Sequence, residues 1–290
     1  MNSKNQKWLY LGILSIVWGS SFILMKKALI GLSPIQLGAL RILITGVFLL
    51  LIGFKSLKEI QKRHWKYIVY TALLGTFFPV FLFAYAVKGI DSSVVSILNS
   101  LTPFNTFLIG AWVFGFSFRK KQLIGIFIGL TGTIILILKG ADINPNQKYW
   151  FSILIVIASV GYAFNVNMVK KYLHDISALS IVAGNFLIII IPAFIVLTLT
   201  GFFSTYELNE TNVQSLGYIT VLSIVGTGVA KVLYNKMVHL ATPIFASSVT
   251  YLIPIVAVFW GVLDGENLTL TQFSASGIIL LGVYLVNKKK

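Results

Sequence analysis

Long apolar stretches separated by short polar breaks fill this chain from one end to the other. Ten of them, at 8–28, 34–54, 67–87, 92–114, 121–138, 149–169, 177–200, 214–236, 243–262 and 270–287, are mostly apolar. Each has the length an α-helix needs to cross the hydrocarbon of a bilayer, about 20 residues. The pattern therefore predicts an all-α integral membrane protein with ten transmembrane helices. The connections between them are too short to hold a separate soluble domain. Lys4 and Lys7 precede the first stretch, but its apolar part is longer than a signal core and no small-x-small site ends it. It reads as a retained helix.

The polar positions inside these stretches are ordered. Ser92, Ser96, Asn99 and Pro103 follow one another at spacings of four, three and four; Pro243, Ser247, Thr250 and Pro254 repeat the pattern. Such spacing puts each set on one helical face. Hydrocarbon offers no partners to these groups, so the faces are expected to meet a neighbouring helix or a wet cavity. Pro103 and Pro254 are the candidate hinges. Each proline also frees a carbonyl one turn earlier, which a cavity can use.

Two cations, Lys231 and Arg41, lie deep within the apolar stretches, away from their ends. Lys231 stands in LSIVGTGVAKVLYNK (222–236), about two thirds along its helix, on a face shared with Thr220, Ser223, Thr227 and Tyr234. A charge at the bilayer centre costs on the order of 3 kcal/mol even on the lenient insertion scale. Lysine can snorkel, but from this depth its reach to the interface is partial. A cavity-lining role and a structural role both remain for it. Arg41 lies about two turns into the second helix, where a guanidinium can tether several carbonyls or meet a solute. No Asp or Glu falls within any of the ten stretches. A carboxylate proton relay and an acidic site for cationic drugs are therefore disfavoured, and a positive cavity without acids suits a solute bearing a carboxylate or phosphate. Trp18, Tyr85, Tyr162 and Tyr251 supply aromatic surface for stacking or gating.

The chain also repeats itself. The Gly-Thr pair at 75–76 recurs at 226–227, and at the same offset Pro103 meets Pro254, Gly110 meets Gly261 and Lys231 meets Val80. With a slightly shorter offset WGSSFILMKK (18–27) meets YAFNVNMVKK (162–171), and Arg41 meets Asn185. Each half, 1–140 and 141–290, carries five helices. Because five is odd, the second half enters the membrane from the opposite side. Inverted repeats of this kind are common among secondary transporters, with the solute site near the midplane between the halves.

Composition agrees with this placement. Of 290 residues, 57% are hydrophobic and 11% charged, where a soluble domain carries about a quarter charged residues. The net charge of +15 is laid out by topology. Alternating the loops from a cytoplasmic N-terminus puts sixteen of the 23 basic residues inside and five outside, and places six of the eight acids outside. Positive charge on the inner side orients a membrane protein, so the excess sets topology and implies no nucleic-acid partner. Cysteine is absent, and the three histidines (His64, His174, His239) read as separate loop residues. No metal site or cofactor is expected, and no nucleophile cluster points to an enzyme.

WGSSF (18–22), ALR (39–41), SLTP (100–103), GENLT (265–269) and GIILLGVYL (277–285) together resemble the drug/metabolite transporter superfamily, in particular its EamA-type members. The resemblance implies a ten-helix basket with the fifth and tenth helices peripheral and a central cavity. It implies export of amino acids or related metabolites. The two repeats suggest alternating access, and the charge layout puts both termini in the cytoplasm of a multi-pass protein of a bacterial-type inner membrane. The family often has an acidic residue after the fourth helix of each half. Glu266 supplies it in the second half, whereas Phe116 stands near that place in the first. The expected binding set is Lys231, Arg41, Asn99, Ser96, Ser247, Thr250, Tyr251, Trp18, Tyr162 and Tyr85. The expected partners are a small carboxylate-bearing solute and membrane lipid, with no oligomer specified. A multidrug or nucleotide-sugar type transporter, or a non-transporting sensor or scaffold, is the alternative.

Overall fold

The computed structural model describes residues 3–117, 123–132, 135, 148–266 and 270–287. Among the described residues the regular structure is helical throughout, with no strand. The chain runs through α1 (Ser3–Ala28), α2 (Pro34–Gly53), α3 (Lys62–Gly89) and α4 (Ser92–Trp112). It continues through α5 (Leu123–Gly132), α6 (Ser152–Tyr172), α7 (Ala178–Leu199), α8 (Glu210–Leu240) and α9 (Pro243–Leu263), ending in α10 (Leu270–Asn287). Eight of these are long and apolar enough to cross a membrane: α1 to α4 and α6 to α9. Part of the expected fifth helix, 121–138, lies outside the described residues, as does part of GENLT.

Helix starts follow local chemistry. Ser33 caps α2, accepting from the Gln36 amide while its own amide donates to the Gln36 side chain, and Pro34 takes the first turn where no amide is needed. Ser177, Asn209 and Thr242 cap α7, α8 and α9 with side-chain oxygens. Two helices loosen in mid-course. α3 makes a π-turn over Leu73–Phe77 and α8 another over Ile224–Val229, and each holds one of the two Gly-Thr pairs. Such turns occur often at functional sites because they redirect carbonyls out of the ladder. α4 tightens into a 3₁₀ turn at Asn99–Leu101.

The packing is built from a few close pairs: α2 with α7, α1 with α9, α4 with α6, α3 with α6, α1 with α8, and α4 with α9. Small residues permit the closest of them, as in membrane bundles generally. A side chain on Gly161 would overlap the Leu74 carbonyl oxygen, and one on Gly75 would overlap Asn165, so the backbones of α3 and α6 touch there. Two of the histidines lie in helices rather than loops. His64 is buried in the first turn of α3, where its Nδ1 accepts from the Gln61 amide, and His239 lies in the last turn of α8.

Candidate functional site

The π-turns, the 3₁₀ turn and the start of α2 converge on one cavity of about 100 Å³, room for several waters. Lys231 and Arg41 both line it, with Trp18, Asn99, Tyr162 and Thr250. The structure thus brings together six of the ten binding residues expected from sequence. The other four lie elsewhere. Ser96 and Ser247 are fully buried and donate to the carbonyls of Ser93 and Ile244 in their own helices. Tyr251 is buried against a separate apolar cavity with Ile97 and Pro254. Tyr85 is 36% exposed on the outside of α3.

Each cation has one defined partner. The Lys231 ammonium donates to the Gly75 carbonyl at 2.7 Å. That carbonyl stands four residues before Pro79, which has no amide to offer it. Arg41 donates from Nε to the Thr227 hydroxyl at 2.7 Å, and the Thr227 hydroxyl in turn donates to the Leu222 carbonyl. Both Gly-Thr pairs are therefore held by cations from another helix, Gly75 by Lys231 and Thr227 by Arg41. Lysine has three donors and arginine five, so both keep N–H groups for the cavity.

The carbonyls freed by Pro103 and Pro254 are not left to a solute. Asn99 O, four before Pro103, accepts from the Thr102 hydroxyl at 2.7 Å, and Thr250 O, four before Pro254, accepts from Ser100 at 3.0 Å. Gly226 O accepts from the Trp18 indole at 3.0 Å. The expectation that proline-freed carbonyls serve the cavity gives way here. Neighbouring hydroxyls fill them, because an unpaired carbonyl inside the membrane is costly.

Aromatic rings form the walls. Trp18 packs on Tyr234 with centroids 5.1 Å apart, and Phe83 stacks on Tyr162 at 5.8 Å. Three lining amides, Asn165, Asn185 and Asn235, were not singled out from the sequence. A signal existed for two of them: in the internal repeat Asn165 occupies the place of Ser21 and Asn185 that of Arg41. In its satisfied orientation the Asn185 amide nitrogen donates to Ile68 O at 3.0 Å and to Thr71 Oγ1 at 2.9 Å.

One end of the bundle carries a cluster of ions. Lys26 reaches Asp264 at 2.8 Å and Glu266 at 2.9 Å, and Lys27 pairs with Asp264. Glu266 is buried and also accepts from Ser92 Oγ at 2.7 Å and Ser93 Oγ at 2.5 Å, at the start of α4. Burial opposes its charge, yet the Ser93 hydroxyl, the Lys26 ammonium and the Ser92 hydroxyl outweigh it and hold the carboxyl below its ordinary value. At the opposite end Asp175 joins Arg63 at 2.6 Å and His64 at 3.2 Å.

The sequence profile of the EamA-like transporter family matches residues 6–138 and again 149–288. The chain belongs to the EamA-like transporter family. It is a multi-pass membrane protein of a transporter family. Among its relatives is the uncharacterized inner membrane transporter YedA of Escherichia coli K12, 28% identical and covering 96% of this chain and 89% of that protein. A probable amino-acid metabolite efflux pump of the same strain is 25% identical, covering 93% and 91%. An S-adenosylmethionine/S-adenosylhomocysteine transporter of Chlamydia muridarum is 22% identical, covering 94% and 88%. One solved crystal structure of a protein superposes with a TM-score of 0.70 at 16% identity, covering 98% of this chain and 96% of the other. That likeness concerns the fold alone.

Proposed function

We propose that this EamA-family protein is a secondary transporter that exports small organic metabolites bearing a carboxylate, working by alternating access around the Lys231–Arg41 cavity. The observation that carries the reading is the pairing of two cations with spare donors in one intramembrane cavity, with no carboxylate among its described lining residues. Intramembrane charge is expensive and is retained where it does work. The naming of a relative as an amino-acid metabolite efflux pump supports the solute class.

The moving units of this proposal are the halves 1–140 and 141–290. Exchanging α1–α5 for α6–α10 turns the α1–α9 contact into α6–α4 and the α1–α8 contact into α6–α3, all of them observed. The family profile matches the chain twice, over 6–138 and 149–288, which supports a division into two halves. Both termini are assigned to the cytoplasm of a bacterial-type inner membrane, a placement supported by the basic loops. The ionic end at Lys26 and Glu266 then faces outward.

Counterflow into proteoliposomes tests the reading. Vesicles loaded with unlabelled organic anions or amino acids should take up the labelled solute, and Lys231→Met should abolish this while leaving a folded protein. Unchanged uptake by the folded variant would remove Lys231 from the solute site.

A further inference from the structure

We infer that the cavity selects organic anions that lack an ammonium group, such as 2-oxo acids and N-acylated amino acids, over the parent zwitterionic amino acids. The inference rests on the transporter reading above and narrows it to a substrate class. The reason lies in the acceptors available to an ammonium. None of the described acids lines the cavity. Asp264 and Glu266 are committed to Lys26 and Lys27 at the ionic end, and Asp175 to Arg63.

Broken helices offer a second way to hold a cation, through carbonyls released from the ladder. Four such carbonyls are already used here. Gly75 O takes Lys231, Gly226 O takes Trp18, Asn99 O takes Thr102 and Thr250 O takes Ser100. An α-ammonium brought in with its carboxylate therefore meets two cationic side chains and only neutral acceptors, with no carboxylate among the described lining residues to offset them.

Neutral polar groups fare better. Asn165 and Asn235 line the cavity and make no side-chain hydrogen bond among the described residues. A primary amide donates and accepts, which suits an oxo, hydroxyl or acylamide group in the place of the ammonium. The rings of Trp18, Tyr162 and Phe83 suit an apolar or aromatic body beside it.

The test compares phenylpyruvate, N-acetylphenylalanine and phenylalanine on the full-length protein, by binding in detergent and by counterflow in proteoliposomes. Both anions should bind at least about tenfold more tightly than phenylalanine, a difference of 1.4 kcal/mol, and exchange faster. Val80→Asp supplies the missing counter-charge, since Val80 lines the same cavity at the position that matches Lys231 in the repeat. It should narrow or reverse the preference, whereas Val80→Asn, of similar size and neutral, should not. Tighter or equal binding of phenylalanine by the wild type would overturn the inference. Anion-selective binding without flux would sustain it and overturn the transport reading instead. Absence of both binding and flux from folded protein would overturn both.

Discussion

The ammonium of Lys26 lies 2.9 Å from the carboxylate of Glu266, tying the end of α1 to the end of α9 across 240 positions of sequence. The matching lysines of the second half have no such partner. Lys170 donates to the carbonyls of Val238 and His239 at 3.1 Å each, and Lys171 to that of Phe114 at 2.8 Å. Among the described residues no carboxylate reaches either. The Lys26–Lys27 pair is thus held by carboxylates and the matching Lys170–Lys171 pair by backbone carbonyls, Phe116 standing near the place of Glu266 in the first half.

Glu266→Gln should weaken the ionic latch. Charge-assisted hydrogen bonds contribute about 1.5 to 3 kcal/mol each, while Asp264 still holds both lysines. The chain has no native cysteine, so Ser21→Cys, on the cavity wall, gives a single label site. A membrane-impermeant maleimide added on the Lys26 side should label it several-fold faster in the Glu266→Gln background. An unchanged rate would show that this cluster does not control access.

The same cluster sets a pH dependence. Burial works against the charge of both acids. For Glu266 the Ser93 hydroxyl and Lys26 prevail, for Asp264 the hydrogen bonds of Lys26 and Lys27, and both pKa values end below their ordinary values. The stabilisation is therefore complete above the unfolded carboxylate range, about pH 4, and is lost as pH falls through the lower folded values. Tm in detergent should hold between pH 7 and 5 and drop below about pH 4. The drop should shrink in Asp264→Asn/Glu266→Gln, and an identical drop in that double variant would locate the acid sensitivity elsewhere, Glu59 and Asp175 being the other described acids with a depressed pKa.

Lys231 has a structural duty as well as a proposed solute contact, and the two are separable. Its ammonium fills the Gly75 carbonyl four residues before Pro79, so Lys231→Met should cost about 1 to 3 kcal/mol through an unsatisfied buried acceptor. Pro79→Ala in the same chain restores an amide at that position. The double variant should recover stability, measured as Tm, without recovering counterflow. Recovery of both would make the lysine a tether and nothing more.

Gly161→Ala tests the contact that brings α6 to the cavity. Its methyl group would overlap the Leu74 carbonyl oxygen, a backbone atom that cannot rotate away. Overpacking of this kind costs about 1 to 3 kcal/mol. Tm should fall, with weaker binding as Tyr162 and Asn165 are displaced along with the helix. Gly12→Ala, where a side chain meets nothing within 4 Å, should leave Tm unchanged.

The sequence by itself determined the membrane class, because twenty-residue apolar runs have no other stable setting. It also marked Lys231, Arg41, Asn99 and Thr250 as out of place in hydrocarbon, since a buried polar group is conspicuous wherever its helix turns. Which of those groups share a cavity was decided by tertiary structure. Ser96 and Asn99 lie three residues apart on one face of α4, yet Ser96 bonds its own backbone and Asn99 lines the cavity. Helical periodicity fixes directions within a helix. The rotation of that helix against its neighbours is set by close contacts such as Gly75–Asn165 and Gly161–Leu74. In a bundle whose outer surface is as apolar as its interior, hydrophobic pattern carries little record of that rotation. The partner of Lys231 was invisible for the same reason, since Gly75 lies 156 positions away and the missing amide of Pro79 acquires a meaning only once α8 packs beside it.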